Sequence, residues 1–255
     1  MNRNDLTLNG RRISYLDAGT DGAPLLALHG HLEEGLSFEQ LATDLAPRWR
    51  VIAPDQRGHG DSDRAPDYST DGYVADAVAV IEALGLGPVA VLGHSGRGIT
   101  AMRLAAQRPD LVSALIVEEI GAVHQSTGSL NFVLSWPSHT ATRQELLDAL
   151  GFAAPMFADV LRQNPDGSWR LPFVPQDMVD SEALVSGDYW ADWLGSQCPA
   201  LLITGNKAPC VDPVLAREMI DKRADAELVV LDTDHFAHKG DPAGFAAAVR
   251  EFLQR

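Results

Sequence analysis

Short apolar runs recur along the chain, each closed by glycine, proline or a polar cluster. Arg12 to Asp17 reads as an early strand. Leu25 to Leu28, Val51 to Ala53, Val89 to Leu92, Ala114 to Val117, Ala200 to Thr204 and Leu228 to Leu231 read as buried strands. Helical spacing separates them, in Phe38 to Leu45, Val74 to Leu84, Ile99 to Arg108 and Pro242 to Leu253. In the second of these, Val78, Val80, Ile81 and Leu84 form one apolar stripe. Short apolar strands alternating with helices predict an α/β fold whose mostly parallel sheet is covered on both faces.

The pattern changes between Glu119 and Ala200, over about eighty residues, too long for an ordinary connection. Trp136, Trp169, Trp190 and Trp193 lie here, with Phe132, Phe152, Phe157 and Phe173. The reading is a mainly helical cap, residues 122–197, inserted over the C-terminal edge of a core formed by 1–121 and 198–255. Most of these aromatics pack the cap itself and a minority line a ligand cavity.

Chemistry concentrates where the run Val89 to Leu92 meets Gly93-His94-Ser95-Gly96-Arg97-Gly98. A strand, a sharp turn and a helix hold the Ser95 hydroxyl at the apex, with helix N-terminal amides facing any oxyanion it generates. A serine hydroxyl is a poor nucleophile unless a base takes its proton.

Four blocks in order, each at a strand end, resemble the α/β-hydrolase superfamily over nearly the full length. They are His29-Gly30, then Asp55-Gln56-Arg57-Gly58-His59-Gly60-Asp61-Ser62, then the serine turn, then Asp234-His235 followed by Asp241-Pro242 and Phe245. The resemblance implies an eight-stranded sheet, Ser95 as nucleophile and His235 as base. It makes His59 a structural brace; His238, three residues beyond His235, reads as a spectator, and His94 faces away from the cleft because adjacent residues on a strand point to opposite sides. Many members carry an aspartate in a Gly-x-x-Asp turn after the seventh strand. This chain has Gly205-Asn206-Lys207-Ala208 there. Some branches, among them certain haloalkane dehalogenases and zearalenone-type lactonases, place the acid at the end of the sixth strand, where this chain has Glu119. Glu118 then faces the opposite side of the sheet. Asp212 is the rival acid, and Asp234 points poorly for pairing with the ring. The backbone amides of His31 and Gly96 are the expected oxyanion donors.

Arg97 departs from the family, which keeps a small residue at that place. It reads as a surface guanidinium paired with a carboxylate, as a cation that recognises an anionic substrate, or as a distortion of the turn. Arg97, Trp136, Trp190 and Phe236 are the candidate substrate contacts.

Composition narrows the function classes. The 255 residues suit one domain with an insertion, and the formal charge of −15 disfavours nucleic acid and anionic membranes as partners. The N-terminus has no apolar leader, no run is long enough to span a bilayer, and the two cysteines, Cys198 and Cys210, form no metal quartet. The expectation is a cytoplasmic protein with reduced thiols, a small-molecule substrate, no metal and no cofactor; oligomeric state is not legible. The leading function is a serine hydrolase cleaving an ester or lactone with a hydrophobic body. Carbon–carbon bond hydrolysis, cofactor-free non-hydrolytic chemistry and non-catalytic ligand binding are the alternatives. Serine at the turn argues against the dehalogenase and epoxide hydrolase reactions, which use an aspartate nucleophile in this superfamily.

Overall fold

The computed structural model describes residues 1–207 and 210–254. Eight strands form one sheet: β1 (Asn2–Leu8), β2 (Arg11–Asp17), β3 (Ala23–Leu28), β4 (Trp49–Pro54), β5 (Val89–His94), β6 (Val112–Glu118), β7 (Ala200–Gly205) and β8 (Ala226–Leu231). Their order is β1-β2-β4-β3-β5-β6-β7-β8. The pairs β1–β2 and β2–β4 are antiparallel and all other neighbours are parallel.

The apolar runs work as the period of a strand requires. Leu26 and Leu28 face one side of the sheet, where α2 (Thr70–Leu84), α3 (Gly96–Gln107), α6 (Trp190–Gly195) and α7 (Pro213–Asp221) pack. Leu25 and Ala27 face the other, against α1 (Glu39–Leu45) and α8 (Pro242–Leu253). Capping fixes the helix ends. The Ser69 hydroxyl accepts from Gly72 N at the start of α2, and Gly85 closes it with φ 62°.

Strand β1 is absent from the sequence reading because its residues are polar and largely exposed, as an edge strand permits. The signal was the dipeptide Asn9-Gly10, whose φ values of 51° and 77° make the tight hairpin turn to β2.

Between β6 and β7 lie α4 (Arg143–Leu150), α5 (Pro175–Ala183), α6 and short two-stranded ladders. Val133, Trp136, Leu146, Phe157, Leu171, Phe173 and Met178 form a separate apolar cluster there, together with Leu32 of the core. Helix α6 packs instead on the main core, where the Trp193 indole donates to Met219 O at 2.9 Å. Among the described residues, no helix is long and apolar enough to cross a membrane.

Candidate active site

Ser95 sits between β5 and α3 with φ 55° and ψ −135°. A non-glycine residue in this region costs of order 1–3 kcal/mol and persists only where its surroundings impose it. The imposing contacts are Ser95 N donating to Glu118 O at 2.8 Å and Gly98 N donating to Ser95 O at 2.7 Å. The glycines on either side permit the close approach of helix and strand. A Cβ at Gly93 would collide with the Arg97 carbonyl, and one at Gly98 with Ile120 and Val117. Glu119, with φ 55°, and Leu32, with φ 65°, share the left-handed conformation. Among the described residues, three of the four non-glycine residues with positive φ therefore belong to this one region, and the fourth is the hairpin residue Asn9.

Glu119 is fully buried beyond the end of β6, and its carboxylate accepts from the backbone amides of Gly205 and Cys210, the latter at 2.8 Å. Its Oε2 lies 3.6 Å from His235 Nδ1. Burial alone pushes the His235 imidazole down; the Cys210 thiol and Glu119 beside it outweigh burial and lift it well above its ordinary value. The rival acid Asp212 and the neighbouring Asp234 are both engaged elsewhere. Asp212 caps α7, accepting from Val214 N at 2.7 Å, and Asp234 accepts from Phe236 N at 3.1 Å. Ala208, in the turn where the family's aspartate stands, lies outside the described residues.

Ser95, Gly96, His31, His235 and Phe236 all line one cavity of about 360 Å³. Leu32, Ile120, Leu130, Phe132, Met156 and Val185 make most of its wall, with Glu182, His124, Ser129 and Cys210 as its other polar members. The Glu182 carboxylate is occupied: it accepts from Ser129 N, Ser129 Oγ and Leu130 N at 2.9, 2.6 and 3.1 Å. Burial holds the His124 imidazole below its ordinary value. Among the described residues, the backbone amides of His31 and Gly96 have no hydrogen-bond partner.

Three of the four expected substrate contacts are elsewhere. Trp136 packs edge-on against Phe132 and Phe157 in the separate apolar cluster between β6 and β7, and Trp190 lies on the main core beneath Lys222 Nζ, 4.3 Å from its ring centroid. Neither lines the cavity, because each ring is consumed by packing. Arg97 is neither on the surface nor paired with a carboxylate. It is 3% exposed, its guanidinium lies 3.5 Å above the Tyr73 ring centroid, and Nη1 has no hydrogen-bond partner. Its Nη2 donates at 3.4 Å to His31 Nε2, which also meets Ser181 Oγ at 2.9 Å. Burial and the Arg97 charge hold the His31 ring well below its ordinary value, so the ring is neutral and accepts that bond. Arg97 thus stands behind the wall, with His31 between it and the cavity. The turn tolerates it because the crowded positions are 93 and 98.

Beneath the cavity lies a buried charge network that the sequence reading did not assemble. Glu33 reaches His94 Nδ1 at 2.7 Å, His238 Nε2 at 3.2 Å and Lys239 Nζ at 2.6 Å. Glu118 takes the other side of His238, accepting from its backbone N at 2.9 Å and lying 2.8 Å from Nδ1. Both nitrogens of His238 therefore face carboxylates. Burial opposes the charged ring, but Glu118 and Glu33 raise His238 to about 9 and are themselves held below the usual carboxylate range. His238 is a central strut rather than a spectator. His94, though turned from the cavity, places Nε2 3.0 Å from the His235 carbonyl oxygen and so ties down the loop that carries the imidazole. His59, buried with Nδ1 2.9 Å from Arg57 O and bridged to Phe173, joins the core to the separate apolar cluster between β6 and β7.

A family profile described as the α/β hydrolase fold matches residues 23–242. An sn-1-specific diacylglycerol lipase, ABHD11, of Mus musculus is 27% identical over 94% of this chain and 85% of its own length. A 2-hydroxymuconate semialdehyde hydrolase of Pseudomonas sp. is 31% identical over 96% of this chain and 91% of its own. Among solved structures, a marine microorganism esterase superposes with a TM-score of 0.85 at 25% identity, covering 94% of this chain and 99% of that one. With sheet order, serine turn and profile in agreement, the chain belongs to the α/β-hydrolase fold family.

Proposed function

We propose that this protein is a serine hydrolase that cleaves a carboxylic ester or lactone with a hydrophobic body. The carrying observation is that the strained Ser95 and His235 line one cavity while Glu119 stands 3.6 Å behind His235 Nδ1. Ser95 Oγ attacks the substrate carbonyl as His235 Nε2 takes the hydroxyl proton. Glu119 orients the ring and stabilises the imidazolium. The Gly96 and His31 amides receive the oxyanion, a donor pair in which each member supplies about 3 kcal/mol of barrier lowering. His235 then protonates the leaving alcohol, and water resolves the acyl-enzyme with the same ring as base. The segment 122–197 acts as a cap, giving Leu130, Phe132 and Met156 to the wall and supporting an apolar acyl or alkyl group.

Labelling by a fluorophosphonate probe tests the nucleophile: wild type takes the label and Ser95→Ala does not. Equal labelling of both, or none of wild type, removes the proposal. A second reading, carbon–carbon bond hydrolysis, is favoured by the similarity to the semialdehyde hydrolase. It predicts turnover of a vinylogous diketone at a rate above that of a nitrophenyl ester.

A further inference from the structure

Three side chains meet at the acid end of the site. The Glu119 carboxylate, the Cys210 thiol and a ring nitrogen of His235 each present one ligand atom within 4.8 Å of the other two. His235 Nδ1 is buried and has no hydrogen-bond partner, its near carboxylate oxygen being 3.6 Å away. That separation is long for an N–H···O bond. It is close to the edge of a tetrahedral zinc site, where N and O ligands at about 2.0–2.1 Å from the metal sit about 3.4 Å apart. Thiolate, imidazole and carboxylate together suit borderline to soft divalent ions over magnesium or calcium. The Gly205 and Cys210 amides hold the carboxylate in place, and each of its oxygens keeps a further lone pair. Cys210 and His235 both line the cavity, so an ion has a way in and an open fourth position.

We propose that Glu119, Cys210 and His235 bind one zinc-like divalent cation, and that occupancy switches hydrolysis off. The switching rests on the reading of His235 as the base. A metal on Nδ1 uses that lone pair and leaves the ring proton on Nε2, where no lone pair remains to accept the Ser95 proton. The thiol proton goes to solvent as the metal–sulfur bond forms, and nothing is oxidised or reduced. The acid's own demand on position 210 is met by the backbone amide, so the catalytic reading leaves the thiol unexplained. The metal reading explains it.

Cobalt(II) added to metal-free protein reports the site through a thiolate-to-cobalt charge-transfer band, and zinc is titrated against ester hydrolysis in parallel. Wild type is expected to show the band and to lose activity at micromolar zinc, with recovery on chelation. Cys210→Ala keeps the amide, lacks the band, and needs at least about tenfold more zinc for the same fractional inhibition of its own metal-free rate. No band in wild type, equal zinc sensitivity of the two proteins, or a band with undiminished hydrolysis overturns the proposal. A metal-free protein that turns over no ester instead removes the hydrolase reading and with it the switch, while the cobalt band still decides the site.

Discussion

Replacing Glu119 by Gln keeps size and shape and removes one charge. At the 3.6 Å between Glu119 Oε2 and His235 Nδ1, and with an effective dielectric near 20, the lost attraction to the imidazolium is about 4.6 kcal/mol. At 1.36 kcal/mol per decade, that corresponds to a fall of about three orders of magnitude in kcat. The substitution also places an amide NH2 against one of two backbone N–H donors, those of Gly205 and Cys210. One buried donor is then left facing a donor, at a cost of about 1–3 kcal/mol in stability. The assay is steady-state hydrolysis of a short-chain nitrophenyl ester, with a urea melt on the same preparation. A folded Glu119→Gln protein that retains more than a tenth of the wild-type kcat refutes the assignment. Asp212, already committed to the start of α7, is then the next carboxylate to remove.

Other outcomes follow from the same contacts. His238 is raised to about 9 from an ordinary 6.5, so its contribution, about 3 kcal/mol, is complete below the lower value and disappears as pH climbs through the higher one. Urea melts at pH 7 and pH 10 should show that loss, and His238→Gln should flatten it. Glu33 and Glu118 are lowered, so their share is present above the ordinary carboxylate range and is lost as pH falls through their folded values in acid melts. The raised His235 must shed its proton to act as base, so kcat/KM should rise with pH along a limb above the ordinary imidazole range. In Cys210→Ala that limb should move to lower pH; an unmoved limb would discard the thiol as a cause. Gly98→Ala pushes a methyl into Ile120 and Val117, and a loss of about 1–3 kcal/mol in stability, with slower hydrolysis, is expected from melts and initial rates.

Much of the architecture was written in the apolar runs, because a parallel sheet buried on both faces needs strands such as Leu25 to Leu28 that are apolar throughout. Strand β1 escaped since an edge strand carries no such demand, although Asn9-Gly10 announced its turn. The serine turn was legible as a glycine-bracketed serine after an apolar run, and the family resemblance pointed to Glu119 and His235, which the structure places 3.6 Å apart. The surroundings were not. Whether Trp136 faces a cavity or the apolar cluster between β6 and β7 depends on the rotation of short helices that have little periodicity to read. The link from Glu33 through His94 and His238 to Glu118 joins distant stretches of chain through side-chain contacts, and nothing in the order of residues shows that a carboxylate from the β3 end waits beneath them. Arg97 looked like a surface or substrate group because a buried guanidinium without a carboxylate is uncommon; the Tyr73 face that receives it is set by the packing of α2.

Because the Glu119 carboxylate just past β6 leans on main-chain amides, what it asks of the loop at position 210 is a path and not an identity. Nineteen of the twenty genetically encoded residues can offer an amide hydrogen there, and proline alone cannot. A library randomised at this single codon should therefore stay largely functional, with its proline members standing apart, and natural drift could exchange the thiol for other side chains without disturbing the acid's cradle.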